Sequence, residues 1–434
     1  MAQSDRVNLK TKKELPSIHD KFYPDPISLT FARMAGRKVF VCIPLMDELE
    51  NVPALMEYLR RQTFRDFVTV ICVNQPDSWW NDPEKRDICR RNHETLKVLE
   101  TVNDLSFHVI DRSSPGKGWN AKHFGVGWAR KTAMDKAAAM AVADDLIVTM
   151  DGDTEFSPVY LASLADAFLH FPEVKVLSVP YYHRLTGHTN ADRAILRYEI
   201  YMRTYAINML RIQNPYAFTA LGSAIACTAD AYLWIGGITP HKSGEDFYFV
   251  QKLRKSFPVL IDHHEKVYPA ARFSDRVFFG TGPAMIKGNS GDWSGYPIYD
   301  SRIFDEIKES FDAFRLIYDH ETEIPMSEFL KEKFGEGFGQ PLRENVTSRE
   351  KFVKACQHKI DGLRILQYLK WRQRQQTSND EENLRDFFNR FFPEEITIVE
   401  NFKFGDASVE QMDGIRNFLM KMEEQWQQTI RVLR

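Results

Sequence analysis

From residue 38 to residue 179 the chain repeats one pattern: a short run of β-branched and apolar residues, then a longer stretch with helical apolar spacing. Val39-Phe40-Val41-Cys42-Ile43, ended by Pro44, precedes a helical stretch at 52–62. Phe67-Val68-Thr69-Val70-Ile71-Cys72-Val73 comes next, then a run at 106–110 and an Ala- and Lys-rich helix at 121–143. Leu146-Ile147-Val148-Thr149-Met150, a helix at 158–169 and a strand at 174–179 complete the series. Apolar runs of this length without polar alternation suit strands covered on both faces. Strands alternating with helices predict a doubly wound α/β sheet, mixed but mostly parallel, with helices on both faces. Such sheets bind ligands beyond the carboxyl ends of their strands, so the residues just after each run carry the functional information.

The remainder of the chain reads differently. Residues 1–36, with Pro16, Pro24 and Pro26, predict an arm, and 37–295 the α/β domain. Residues 296–434 predict a helical region, with long charged amphipathic stretches at 303–317, 326–334, 349–374 and 409–433. The Gly-rich segment 280–295 separates the two parts, and 375–382 reads as an exposed loop. With 57 Lys and Arg against 60 Asp and Glu, the net charge is −3, which argues against a nucleic-acid partner. Five scattered cysteines without a CxxC pair make a disulfide scaffold or zinc site unexpected and fit a reducing compartment. The first residues carry no apolar signal region, and no apolar run approaches the ~20 residues of a membrane span. A cytoplasmic protein is expected, or one peripheral at the inner face of the cell membrane.

Asp151-Gly152-Asp153 directly follows the fourth strand. Two carboxylates one residue apart can offer oxygens to Mg²⁺ or Mn²⁺, which take one or two protein carboxylates plus substrate phosphates. Asp-Gly-Asp is equally ordinary turn chemistry. Glu245-Asp246 stands before Phe247, Val250 and Leu253 at helical spacing, so it reads either as acidic residues at a helix N-terminus or as a general base. The first strand runs into Pro44-Leu45-Met46-Asp47-Glu48 and the second into Asn74-Gln75-Pro76-Asp77, polar groups suited to ribose hydroxyls and a base. Pro115-Gly116-Lys117-Gly118-Trp119-Asn120 follows the third strand and opens a helix, where backbone amides can meet an anion. It is neither a P-loop nor a Rossmann fingerprint. Arg272 and Arg276, ahead of Gly280-Thr281-Gly282, can clamp a diphosphate or lie on the surface.

Taken in order, these segments resemble a family 2 glycosyltransferase with the GT-A fold, over residues 38–282. Pro44-Leu45-Met46-Asp47-Glu48 is similar to the family's Pro-x-x-Asn-Glu, with Asp in place of Asn. Asn74 stands where a nucleotide-contacting Asp is usual, with Asp77 nearby, which leaves the base open between uridine and guanosine. Gly116-Lys117-Gly118 resembles the family's Gly-Lys stretch, Asp151-Gly152-Asp153 its Asp-x-Asp, and Gly236-Gly237 with Glu245-Asp246 its acceptor half. The Gln-x-x-Arg-Trp motif of processive members is missing.

The resemblance implies transfer of a sugar from a UDP- or GDP-type donor to a glycan or lipid-linked acceptor hydroxyl, by a single displacement with inversion. It implies a Mg²⁺ or Mn²⁺ on Asp153 and Asp151, with His264 (or His263) as a further ligand. Asp246 is implied as the base, Glu245 as its partner, and Pro44, Glu48, Asn74, Asp77, Lys117, Asp151, Arg272 and Arg276 as donor contacts. Trp119 and Trp128 read as packing residues ahead of sugar platforms. The stretch 349–374 packs its apolar face on the catalytic domain or lies on anionic lipid as a peripheral membrane contact. The alternatives are a nucleotidyltransferase and a nucleotide-sugar-binding protein without catalysis.

Overall fold

The computed structural model describes residues 36–120, 122–219, 221–261, 263–273, 280–320 and 322–434. The expected N-terminal arm, up to residue 35, and Arg276 lie outside the described residues.

The expected alternation is present. Strand β1 (Val39–Leu45), helix α1 (Val52–Arg60), β2 (Phe67–Asn74), α2 (Arg86–Glu100), β3 (Phe107–Arg112), α3 (Val126–Ala138), β4 (Leu146–Thr149), α4 (Tyr160–His170) and β5 (Val176–Ser178) follow in order. Then come α5 (Thr189–Arg211), β6 (Ile225–Thr228), α6 (Ala229–Trp234), α7 (Glu245–Arg254), β7 (Val259–Leu260) and α8 (Thr281–Asn289). The helical region holds α9 (Ser301–Ile317), α10 (Ser327–Phe334), α11 (Gly339–Glu344), α12 (Arg349–Lys359), α13 (Gly362–Gln373), α14 (Asp380–Phe391) and α15 (Val409–Ile430), closed by β8 (Val432–Leu433).

The strands form one sheet of order β3-β2-β1-β4-β6-β5-β7-β8. Pairs β1–β2, β1–β4, β2–β3 and β5–β7 are parallel; β6 runs antiparallel between β4 and β5, and β8 antiparallel to β7. Every residue of β1, β4 and β6 is buried, so both faces of the central sheet are covered. β1 continues through Pro44, which stands opposite Cys72 of β2. The ladder to β4 stops at Cys42, so the missing N–H of Pro44 falls past the end of that pairing.

Several boundaries move for identifiable reasons. The helix expected at 121–143 spans only Val126–Ala138, because Gly125 enters it at φ 106. The stretch expected at 349–374 is two helices. Asp361 interrupts it and caps α13 by accepting the Arg364 N–H at 3.4 Å. The expected loop 375–382 ends early, since Asn379 and Glu382 form a capping box that starts α14 at Asp380. The Gly-rich segment 280–295 is not a plain separator, as it contains α8 with Ala284 and Met285 buried. The last helix stops at Ile430, Arg431 takes φ 58, and the chain pairs with β7 as β8.

Residues Lys38–Arg434 pack as a single unit. Helix α15 lies along α5, a 23-residue helix without a counterpart in the sequence reading. Between them Arg203 and Glu423, both buried, pair at 2.8 Å, while Arg416 donates to the His183 carbonyl at 3.0 Å. Among the described residues no helix is long and apolar enough to cross a membrane. All five cysteines are buried and unpaired.

Candidate active site

From β1 the chain builds outward to β2 and β3, then returns to place β4 on the other side of β1. The carboxyl ends of β1 and β4 therefore flank a switch point, where a parallel sheet opens a crevice. Residues 44–48 and 151–153 meet in that crevice. A Cβ on Gly152 would stand 2.5 Å from Leu45 Cδ2 and 3.4 Å from Glu48 Cγ, so only glycine lets the two loops close. Asp47 turns the β1 loop at φ 60, a conformation that Asp tolerates better than most residues. Asn92 of α2 accepts its N–H at 2.8 Å and Arg91 donates to its carboxylate at 2.5 Å.

Glu48, only 6% exposed, points into the crevice and pairs with Arg272 through both its oxygens. The same guanidinium reaches Asp153 Oδ2 at 2.7 Å. Arg272, expected as a diphosphate clamp, is thus held at the Asp-Gly-Asp loop by two carboxylates. Burial alone would favour its neutral form, but Glu48 and Asp153 raise its pKa above the ordinary arginine value.

Beyond β2, Asn74 is turned inward. Its amide donates to the Leu45 carbonyl at 2.9 Å and its oxygen accepts from Trp119 Nε1 at 3.2 Å. Asp77 accepts the Gly116 N–H at 2.7 Å, and its own N–H donates to the Trp119 carbonyl at 2.9 Å. A Cβ on Gly118 would lie 2.7 Å from the Asp77 N and Cα. These contacts fasten the loop at 115–120 against the end of β2. Lys117 Nζ meets Asp111 Oδ2 at 3.0 Å on the exposed side. Partial burial works against the Asp111 carboxylate, yet hydrogen bonds from Ser114, Ser113 and Lys117 hold its pKa well below the usual range. The Trp119 ring lies under Arg112 and 6.4 Å from that of Trp128.

The second acidic pair opens α7. Gly244, at φ 74, turns the chain into the helix, and Glu245 is 3% exposed. Its oxygen accepts from Arg130 Nε at 3.1 Å, and Arg130 Nη2 donates to Asp151 Oδ1 at 2.7 Å. Arg130 Nη1 donates to the Gly222 carbonyl at 2.8 Å, where a Cβ would collide with the guanidinium at 2.2 Å. One buried arginine therefore ties the Asp-Gly-Asp loop to the Glu-Asp pair. Burial opposes its charge, but Asp151 and Glu245 raise its pKa.

Asp246, partly exposed, accepts the Phe247 N–H at 2.7 Å. Loss of water and the neighbouring Glu245 charge push its carboxyl up to about 7, with Arg130 pulling the other way. A carboxyl in that range is suited to exchange a proton near neutral pH. Asp246 also helps raise the Tyr181 and Tyr198 phenols, for which burial is the larger cause, so its charge is felt by both rings.

Arg130 was not among the candidates read from sequence. The signal available was its placement in a helix whose i±3 and i±4 neighbours are Val126, Gly127, Ala133 and Met134. An arginine on such a face requires buried partners. His264 is placed away from the role expected of it: its Nε2 lies 3.1 Å from Ser163 Oγ of α4 and 3.9 Å from Glu265. Among the described residues no three of His, Cys, Asp and Glu are gathered for a metal, so His264 does not join Asp151 and Asp153 in such a cluster. Its neighbour His263 is buried, and that burial pushes its imidazole down to about 3. The donor set at residues 151 and 153 fits a hard cation that takes two carboxylates and fills its remaining positions with substrate oxygens.

No protein-family model and no curated protein matches the chain. Among solved structures, S. aureus TarS (residues 1–349) resembles it with a TM-score of 0.36 at 13% identity, over 88% of this chain and 91% of that one. A mannosyltransferase from Pyrobaculum calidifontis, in complex with GDP-Man and Mn²⁺, resembles it at 0.34 and 15% identity over 74% and 87%. Glucosyl-3-phosphoglycerate synthase from Mycobacterium tuberculosis, with Mn²⁺, UDP-glucose and phosphoglyceric acid, scores 0.27 at 13% identity over 46% and 59%. Likenesses this loose assign no activity to the chain.

Proposed function

We propose that the protein is an inverting glycosyltransferase of the family 2, GT-A type, moving a hexosyl group from a UDP- or GDP-sugar to a glycan or lipid-linked acceptor hydroxyl. The observation that carries this reading is Arg130, which holds a donor-side carboxylate, Asp151, and an acceptor-side carboxylate, Glu245, in one crevice. A nucleotidyltransferase or a non-catalytic binding protein has no need of a second acidic pair beside the first, with one carboxyl raised to about 7.

A Mg²⁺ or Mn²⁺ on Asp153 and Asp151 would neutralise charge on the departing nucleoside diphosphate. Asp246 accepts the proton of the acceptor hydroxyl as that oxygen bonds to the anomeric carbon and the bond from that carbon to the diphosphate oxygen breaks. General base catalysis of this kind contributes ~10²–10⁴-fold. Glu245, fixed by Arg130, orients the base. Arg272 moves from its two carboxylates to the diphosphate oxygens, and Arg276, outside the described residues, is proposed as a second diphosphate contact. Pro44, Glu48, Asn74, Asp77 and Lys117 shape the nucleotide pocket. Asn74 and Asp77 do so by holding the loops, since their side chains are committed to Leu45, Trp119 and Gly116.

We further propose that the protein works in the cytoplasm, with a peripheral membrane contact where the acceptor is lipid-linked. A radiolabelled-donor assay tests the activity. Metal-dependent release of nucleoside diphosphate supports transfer, whereas release of pyrophosphate identifies a nucleotidyltransferase. Asp246→Asn should abolish turnover and leave donor affinity intact, and Asp153→Ala should weaken metal-dependent donor binding. Near-normal turnover in Asp246→Asn rules out that residue as the base.

A further inference from the structure

Helix α7 has two working ends. Its first turn carries Glu245 and Asp246; its last residues, Arg254 and the following Lys255, enter a separate pocket about 14 Å away along the helix axis, at 1.5 Å per residue. That pocket has a volume of about 330 Å³, within the range of small-molecule sites. It is lined by Pro215 and Tyr216 and by residues of α12.

The charged groups around it are unevenly matched. Arg254, Lys255, Lys354 and Arg434 line it with His358, against one carboxylate, Glu350. Lys255 is engaged by Asp361 at 2.6 Å and Arg434 by Glu173 at 3.4 Å. Arg254 and Lys354 have no carboxylate partner among the described residues. Arg254 is anchored by one bond, its Nε to the Pro215 carbonyl at 2.9 Å. That bond uses the Nε–H and leaves the two terminal nitrogens of this pocket-lining arginine without a carboxylate. Tyr216 Oη donates to the Gln357 carbonyl at 2.9 Å and ties the 215–216 turn to α12.

Arg254 is half-buried, so its charge is partly stripped of water and gains from an anionic partner. Burial lowers the Arg254 pKa, and burial followed by Lys354, Lys255 and Arg254 lowers that of His358 against an opposing pull from Asp361, so at His358 the cations outweigh the carboxylate. The carbonyls at the end of α7 alone would repel an anion. Arg254 and Lys354, both lining the pocket without a carboxylate partner, offset that repulsion, and a guanidinium and an ammonium together suit the oxygens of a phosphate.

We infer that the pocket between the end of α7 and α12 is a binding site for a phosphate group, carried by a small phosphorylated molecule or a phospholipid headgroup. The site is distinct from the donor crevice and stands whether or not the glycosyltransferase reading holds. Two probes separate the sources. Glycerol 3-phosphate is titrated calorimetrically into the full chain in the presence of EDTA, and phosphatidylcholine vesicles with and without phosphatidic acid are tested by flotation. Both are repeated with Lys354→Glu, at an exposed side chain, and with Arg254→Gln. Binding of glycerol 3-phosphate that weakens about tenfold or more in either variant supports a soluble ligand. Flotation confined to phosphatidic acid vesicles and lost in Lys354→Glu supports a headgroup. Binding of neither probe, or binding undiminished in both variants, overturns the inference.

Discussion

Replacing Arg130 by methionine tests the centre of the site. Methionine keeps the length of the side chain and removes the charge with its three bonds, to Glu245, Asp151 and the Gly222 carbonyl. Arg130 and Glu245 expose only 2% and 4% of their side chains, so water cannot take over for the lost partner. Breaking such a buried pair from one side costs about 3–5 kcal/mol, because a carboxylate is left uncompensated. Asp151, at 31% exposure, adds little to that figure, since solvent screens it. The deficit should also depend on pH. Arg130 opposes the rise of the Asp246 pKa, so its removal raises that pKa further above about 7. An acid whose folded-state pKa lies above its unfolded value favours folding below the unfolded value and loses that contribution as pH climbs through the folded one. The variant should therefore be weakest relative to the parent above neutrality and recover part of the difference toward pH 5. Urea unfolding at a series of pH values measures this. A variant within about 0.5 kcal/mol of the parent at every pH would refute the claim that Arg130 compensates the two carboxylates.

The pH dependence of kcat/KM should show a one-proton acidic limb centred near 7, since Asp246 must be ionised to accept a proton. Arg272→Gln should lower kcat by about 10²–10³-fold, as expected for a lost donor to developing charge, read in the same donor assay. Gly118→Ala should destabilise the chain by about 1–3 kcal/mol, because its Cβ meets the Asp77 backbone at 2.7 Å, and thermal unfolding checks it.

The acidic pairs were visible in the sequence, yet each also had an ordinary structural reading, as a turn after a strand and as acidic residues at a helix N-terminus; the bridge through Arg130 is what joins them. The amounts by which the helices shifted were not legible, because Gly125, Asp361 and Asn379 act through local capping geometry that apolar periodicity does not carry. The role of Asn74 was also hidden: its slot suggested a base contact, yet its amide is committed to the Leu45 carbonyl across the ladder. The His263–His264 pair suggested ligands, but His264 Nε2 lies 3.1 Å from Ser163 Oγ.

Local pattern by itself determined that the chain forms a sheet with helices and that carboxylates stand at strand ends, since strand and helix periods are properties of neighbouring residues. Tertiary structure alone decided which carboxylates act together. Arg130 reaches Asp151 and Glu245 across separations of 21 and 115 residues, and no spacing rule spans such a distance. The same holds for antiparallel β6, and for the return of α15 and β8 to the sheet. Each is chosen by which apolar surfaces bury one another, a property of the folded chain as a whole.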